Sequence, residues 1–219
     1  MSKKKRFAVI LSGNGVYDGA EIHEAVMTLY AIDRNSAEYQ IFAPDIDQYH
    51  VLNHLTGEEM GEKRNVLVES ARIARGNAKP LSEYDAKDYD ALIIPGGFGA
   101  AKNLSTFAFD GPDCSVEAEL QRAILTSHKA GKTIGALCIA PVILARVLGN
   151  VILTVGQDQD TSDALEKMGA KAEKTNAREV TIDSTNKLVS TPCYMLDSSI
   201  TDIAEGANNA VKAMLEMMD

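Results

Sequence analysis

Cysteine and histidine are scarce in this 219-residue chain, which contains three cysteines and four histidines. The cysteines, at positions 114, 138 and 193, are odd in number and widely spaced, so they form neither a disulfide framework nor a paired-cysteine metal site. The histidines lack metal-ligand spacing and stand at His23, His50, His54 and His128. We therefore expect no metal and no cofactor, and the unpaired thiols favour a reducing, cytoplasmic location.

Long apolar runs are missing as well. No segment approaches the roughly 20 apolar residues that cross a bilayer. The basic start Met1–Arg6 leads into only about six apolar residues, too few for a secretory signal. The formal net charge of −9 argues against nucleic acid and anionic membrane as partners. No repeat, low-complexity tract or linker divides the chain, so residues 1–219 are expected to form a single domain.

Short apolar segments alternate with longer amphipathic ones along the chain. This order is typical of right-handed β-α-β crossovers and predicts an α/β fold, with a largely parallel sheet covered on both faces. In such sheets, functional groups gather at the carboxyl ends of the strands. The predicted strands are 6–11, 40–43, 90–95, 133–137 and 151–155, followed by a C-terminal hairpin of 179–182 and 187–190.

The segment Gly135-Ala-Leu-Cys-Ile-Ala-Pro141 joins the 133–137 strand to a predicted helix. A cysteine at such a turn is pushed clear of the sheet, and the amides that follow it can face an oxyanion. Ala136 and Ala140 supply the small residues that a crowded turn requires. Cys138 is thus either a nucleophile or an ordinary buried cysteine. As a nucleophile, it is expected to have a pKa lowered by the helix N-terminus.

Two glycine-rich loops follow predicted strands, at Gly13–Gly15 and Gly96–Gly99. Neither is a dinucleotide-binding loop, because Asp18 and Lys102 stand where the third glycine of GxGxxG would be. At Gly96 and Gly97, the missing Cβ allows backbone N–H groups to approach the oxygen of a small ligand. The alternative is a tight turn without a binding role.

Glu24 lies on the first predicted helix and has no lysine or arginine three or four positions away. An unpaired carboxyl beside apolar groups and a second acid should have a raised pKa, which suits a general acid or base near neutral pH. Glu21 competes for this role, and spacing alone does not separate the two. Among the histidines, His54 is the best placed to reach the site, with an ordinary surface position as the alternative.

These motifs resemble the ThiJ/PfpI superfamily, which has an amidotransferase-like, flavodoxin-like fold of three layers. Longer blocks resemble its ElbB branch, which is named for an effect on isoprenoid (lycopene) synthesis and described as a glyoxalase. The resemblance covers nearly the whole chain, and its blocks are Ser12–Glu24, Asn53–Glu58, Pro95–Leu104 and Thr191–Leu196.

The resemblance implies that Cys138 is the nucleophile and Glu24 the general acid/base. It also implies an oxyanion site at the amides of Gly97 and Ile139, and a homodimer. One departure matters: many superfamily members carry a histidine directly after the cysteine or soon downstream, whereas Ile139 follows here and no histidine comes later. Turnover is therefore expected to be slow.

The activity implied by the resemblance is that of a glyoxalase III-type lyase, which converts methylglyoxal or glyoxal to lactate or glycolate without glutathione. The Cys138 thiolate adds to the aldehyde of this small 2-oxoaldehyde substrate, and Glu24 moves a proton through an enediol. The alternative is a non-catalytic redox or carbonyl-stress sensor that uses the same cysteine. Peptide hydrolysis is a third, less well supported hypothesis, because the usual histidine base is absent.

Overall fold

The structure is a computed structural model that describes residues 4–218. Within that range the strands are β1 (Arg6–Ile10), β2 (Glu38–Ala43), β3 (Ala78–Pro80), β4 (Ala91–Ile94), β5 (Thr133–Leu137), β6 (Ile152–Leu153), β7 (Lys171–Ala172), β8 (Thr181–Asp183) and β9 (Leu188–Thr191). The helices are α1 (Ile22–Arg34), α2 (Val66–Ile73), α3 (Phe98–Lys102), α4 (Phe107–Asp110), α5 (Ala118–Lys129), α6 (Pro141–Leu148), α7 (Gln159–Lys167) and α8 (Ile200–Glu216).

Seven of these strands form one sheet in the order β3-β2-β1-β4-β5-β9-β8. All neighbours in it pair in parallel except β8, which is antiparallel to β9. The predicted α/β fold with a largely parallel sheet and a C-terminal hairpin is therefore confirmed. The predicted 151–155 strand is shorter, at Ile152–Leu153, and pairs with β7 in a separate small sheet. It lies outside the main sheet because β9 occupies the place beside β5.

Helices cover both faces of the main sheet. Successive side chains of a strand point to opposite faces, and in β1 this places Ala8 and Ile10 in a buried cluster with α5 and α6. Phe7 and Val9 point the other way, into a cluster with α1 and α8. The result is the three-layer arrangement expected of a flavodoxin-like fold. No helix within residues 4–218 is long and apolar enough to span a membrane.

The sheet brings three chain segments together at one edge. Ile94 of β4 pairs with Ala136 of β5, so the carboxyl ends of these strands lie side by side. The first leads into the Gly96–Gly97 loop, and the second leads into Cys138. The segment before α1 reaches the same edge, since the backbone N–H of Glu21 donates a 3.0 Å hydrogen bond to the carbonyl oxygen of Gly96.

Candidate active site

Cys138 lies on a strained turn between β5 and α6. Its φ is +58°, in the left-handed region that residues other than glycine rarely adopt. Ala136 and Ala140, two positions away on either side, are fully buried, which is consistent with the crowding predicted for this turn. The backbone N–H of Cys138 donates to the carbonyl oxygen of Thr191 at 2.9 Å, and this bond ties the turn to the end of β9. The predicted elbow at Cys138 is thus confirmed.

Gly96 and Gly97 allow the backbone to pass close to the elbow. A Cβ on Gly96 would lie 2.5 Å from Cβ of Cys138 and 2.8 Å from Oε2 of Glu24, which is closer than real Cβ contacts allow. Gly97 has a φ of +96°, and a Cβ there would lie 2.3 Å from the backbone nitrogen of Glu21. Both glycines are therefore required by close packing between the β4 loop, the elbow and the start of α1.

Glu24 is fully buried on the first turn of α1 and contacts Cys138 directly. Its carboxyl shares a hydrogen bond with the Cys138 thiol. Oε2 accepts a 2.9 Å hydrogen bond from the N–H of Gly96, and Oε1 accepts a 3.3 Å bond from the N–H of Tyr194. Three chain segments therefore fix the position of this carboxyl beside the sulfur.

The surroundings of Cys138 and Glu24 favour the protonated form of both side chains. Burial, followed by the nearby charge of Glu21, raises the pKa of Glu24 from its ordinary value of 4.5 to about 8. This agrees with the raised pKa predicted from the sequence.

The expectation of a lowered thiol pKa is wrong. Burial and then the charge of Glu24 raise the pKa of Cys138, and they outweigh the N–H groups of Gly97 and Ile139, which lower it. The amide of Ile139, in the turn before α6, lowers the pKa of the thiol, but desolvation is the larger effect. At neutral pH the pair therefore holds both protons, and Cys138 is a thiol.

The position at which α1 begins decides which of the two carboxyl groups, Glu21 or Glu24, contacts Cys138. The helix starts at Ile22, and Glu21 is its N-cap. Oε2 of Glu21 accepts the N–H of Glu24 at 2.7 Å. This cap turns the Glu21 side chain back onto the helix end and leaves Glu24 as the carboxyl that contacts Cys138.

A cavity of about 380 Å³ opens at Cys138, within the range of small-molecule sites (about 300–1,000 Å³). Its walls include Glu21, Gly97, Phe98, Ile139, Asp158 and Tyr194. The amides of Gly97 and Ile139 reach the Cys138 sulfur. They are therefore placed to stabilise negative charge on the sulfur or on an oxygen that forms beside it.

The structure does not bring His54 to Cys138. His54 lines a different cavity of about 300 Å³ with Tyr17 and Lys102. Its Nε2 accepts the N–H of Tyr17 at 3.3 Å, and Nδ1 lies 3.1 Å from the carbonyl oxygen of Leu52. Both ring nitrogens are thus engaged with backbone groups, and the bond from Tyr17 ties the loop around residues 50–60 to the loop after β1.

Tyr194 and Asp158 belong to the site and were not among the residues expected there. Tyr194 lies on a short 3₁₀ turn, Cys193–Met195, after β9, and its hydroxyl is 2.8 Å from Nδ1 of His23. Asp158 is the N-cap of α7 and accepts the N–H of Thr161 at 2.8 Å. Capping patterns predict helix starts, but no local pattern indicates which helix start faces a cavity.

A metal centre is not formed by the part of the chain that the structure describes, where no three histidine, cysteine or acidic side chains cluster suitably. Cys114, Cys138 and Cys193 are all buried and free. The chemistry that this arrangement supports is nucleophilic addition by sulfur, coupled to proton transfer by a carboxyl group.

Comparison with known proteins places the chain in a family. No family model matches it. Over 222 residues it is 48% identical to the human glutamine amidotransferase-like class 1 domain-containing protein 3, mitochondrial, covering 97% of this chain and 83% of that protein. The rat ES1 protein homolog, mitochondrial, is 47% identical over 224 residues, covering 98% of this chain and 84% of that protein.

Solved structures show the same fold. An isoprenoid biosynthesis protein with an amidotransferase-like domain, from Ehrlichia chaffeensis, matches with a TM-score of 0.90 at 34% identity, covering 96% of this chain and 99% of that one. The glyoxalase III of Candida albicans matches with a TM-score of 0.60 at 16% identity, covering 95% and 97%. At that identity, the second similarity concerns the fold alone.

The fold and the sequence similarity define a protein with a glutamine amidotransferase-like domain. More narrowly, the chain belongs to the family of the glutamine amidotransferase-like class 1 domain and ES1 proteins. Membership of the narrower ElbB branch stays a prediction. The predicted cytoplasmic location is wrong, because these relatives are named mitochondrial. Unpaired thiols indicate a reducing compartment, but they do not distinguish one such compartment from another.

Proposed function

We propose that this protein converts a small 2-oxoaldehyde, such as methylglyoxal or glyoxal, into the corresponding 2-hydroxy acid. The observation that carries the proposal is the hydrogen bond between the Cys138 thiol and the buried carboxyl of Glu24, at a cavity of about 380 Å³. A thiol can add to an aldehyde, and a carboxyl whose pKa is near 8 can both give and take a proton close to neutral pH.

The reaction begins when Glu24 has lost its proton, and the Glu24 carboxylate then takes the proton of the Cys138 thiol. Sulfur of Cys138 adds to the aldehyde carbon, and the resulting oxyanion lies beside the amides of Gly97 and Ile139. Glu24 gives its proton to this oxygen, so the product is a neutral hemithioacetal. The cavity walls hold the adduct against Glu24, which is now a carboxylate.

Glu24 then removes the proton from the former aldehyde carbon, giving an enediolate. The hydroxyl proton of this carbon passes to the neighbouring oxygen, and Glu24 returns its own proton to the neighbouring carbon. The product is a 2-hydroxyacyl thioester on Cys138. Water hydrolyses it to the hydroxy acid and restores the thiol. The overall change is an internal oxidation and reduction of the substrate plus one water, so it requires no external oxidant, reductant or glutathione.

The sensor alternative has less support. Susceptibility of cysteine to oxidation follows thiolate character and exposure. Cys138 is only 7% exposed, and burial raises its pKa. Both properties slow the reaction with peroxide, whereas an aldehyde bound in the cavity is held against the sulfur.

A link to isoprenoid synthesis and a homodimer are further parts of the proposal. The name of the Ehrlichia protein, at 34% identity, supports the first. Analytical ultracentrifugation tests for the homodimer, and a monomer in that measurement would contradict it.

The test is glutathione-free lactate formation from methylglyoxal at pH 8, followed by NMR. We expect lactate from the wild type and none above background from Cys138→Ala. Cys114→Ala is the matched control, since Cys114 is also buried but lines a different cavity, with Arg146. Equal rates for the wild type and Cys138→Ala would overturn the proposal.

A further inference from the structure

A second carboxyl group faces the same cavity, and the isomerisation does not use it. Glu21 lines the cavity beside Cys138, and its side chain is only 11% exposed. The charge of Glu21 raises the pKa of Glu24. Two carboxyl groups therefore lie at one cavity in different surroundings, since Glu24 is fully buried beside Cys138 and Glu21 lines the cavity wall.

The two oxygens of Glu21 have different surroundings. Oε2 is fixed by the N–H of Glu24 at 2.7 Å. Oε1 lies 3.9 Å from Nδ1 of His23, too far for a hydrogen bond, and no hydrogen bond from within residues 4–218 reaches it. The helix cap therefore holds the carboxylate rigidly while one of its oxygens is free to accept a hydrogen bond from water.

The proposed reaction requires a water molecule in its last step, and Glu21 is more accessible to water than Glu24. Both oxygens of Glu24 accept backbone N–H groups, from Gly96 and Tyr194, and the group is fully buried. The sequence has no histidine after Cys138. The hydrolytic step thus lacks an assigned base.

We propose that Glu21 is the general base that activates water to hydrolyse the 2-hydroxyacyl thioester on Cys138. This inference rests on the proposed function. Oε1 takes one proton from water, and the water oxygen bonds to the thioester carbonyl carbon. The resulting oxyanion lies at the amides of Gly97 and Ile139. The carbon–sulfur bond then breaks, sulfur keeps the electron pair, and it regains a proton from Glu21. Hydroxy acid and free thiol are the products.

The variant Glu21→Gln separates this role from a structural one. Its amide oxygen can still accept the N–H of Glu24, so the cap on α1 is kept and the thermal midpoint should change little. Formation of the thioester should continue, because Cys138 and Glu24 are intact. Hydrolysis should slow by about 10²–10⁴-fold, the range in which general-base catalysis contributes.

The experiment mixes each variant with methylglyoxal at pH 8, quenches in acid and treats the protein with hydroxylamine. Hydroxylamine converts a lactoyl thioester to lactohydroxamate, whereas a hemithioacetal gives none, although both add the same mass to Cys138. We expect near-stoichiometric lactohydroxamate and slow lactate release from Glu21→Gln, and neither product from Glu24→Gln. Glu166→Gln, which removes an exposed charge from α7, is the control and should match the wild type.

The outcomes distinguish the two proposals. If Glu21→Gln releases lactate at the wild-type rate and accumulates no thioester, Glu21 is not the base, and the proposed function stands. The same conclusion follows if Glu21→Gln forms lactate more slowly without accumulating thioester, since the defect then precedes hydrolysis. If the wild type forms neither lactate nor lactohydroxamate, the proposed function itself fails.

Discussion

Replacing Glu24 by glutamine should change how the stability of the protein depends on pH. Glu24 is fully buried, and its pKa is raised from 4.5 to about 8. Between these two values the folded protein keeps a proton that the unfolded chain has lost. Stability must therefore fall as pH rises through this window. Glutamine has nearly the same shape and does not titrate, so this part of the pH dependence disappears.

The size of the effect follows from the two pKa values. Each pKa unit corresponds to about 1.4 kcal/mol, so the full cost of keeping Glu24 buried approaches about 5 kcal/mol above pH 8. Most of it develops between pH 5 and pH 8, where we expect a change of about 3–4 kcal/mol. Any constant cost of the substitution, such as a weaker bond from the N–H of Tyr194, is the same at both pH values and cancels.

The assay is urea unfolding of the wild type and Glu24→Gln at pH 5, 6, 7 and 8, with the free energy of unfolding extrapolated to water. The difference between the two proteins should shift in favour of the variant by about 3–4 kcal/mol from pH 5 to pH 8. Glu166→Gln provides a control for loss of an exposed carboxyl. Parallel curves for the wild type and Glu24→Gln would refute a raised pKa at this position.

Three further predictions follow from the same geometry. First, kcat/KM for lactate formation should rise with pH to half its maximum near pH 8, because Glu24 must lose its proton before the pair can react; a flat profile between pH 6 and 9 would contradict this. Second, Gly96→Ala should abolish turnover and lower the unfolding free energy by about 1–3 kcal/mol, since the new Cβ would crowd the Cβ of Cys138; Gly61→Ala, in open space, should do neither. Third, His54→Ala should keep its rate of lactate formation, because His54 lines a separate cavity; a large loss would show that the two cavities work together.

The sequence was sufficient to predict the elbow. The apolar run Thr133–Leu137 has the length of a buried strand, and the observed β5 has these bounds. The small residues on either side of Cys138 and a proline in the following turn are local requirements of such a turn, so a local pattern reveals them. The parallel order of the sheet followed from the alternation of strands and helices, which is also a property of the chain read in order.

The electrostatics of the site were only partly predictable. The raised pKa of Glu24 was expected from its lack of a basic partner, but its distinction from Glu21 depends on where α1 begins. The pKa of Cys138 was predicted in the wrong direction, because the helix N-terminus can be read locally and burial cannot. Full burial results from packing of β4, α1 and the turn after β9 around one point.

The remaining residues of the site come from distant parts of the chain. Tyr194 donates to Glu24 from 170 positions away, and Asp158 reaches the cavity from the start of α7. No spacing rule joins such residues to the elbow. His54 is the opposite case, a residue that was expected at the site and lies elsewhere. Its chemistry suggested a role at Cys138, but the loop around residues 50–60 places it in a neighbouring cavity.

The central claim is that Cys138 and Glu24 act as one catalytic unit, and a double-mutant cycle tests it most directly. The measurement is kcat/KM for glutathione-free lactate formation at pH 8 by the wild type, Cys138→Ala, Glu24→Gln and the double variant. We expect each single substitution to lower the rate by about 10²–10⁴-fold or more, and the double variant to be no slower than the poorer single one. Losses that multiply in the double variant, or wild-type rates in either single variant, would contradict the account.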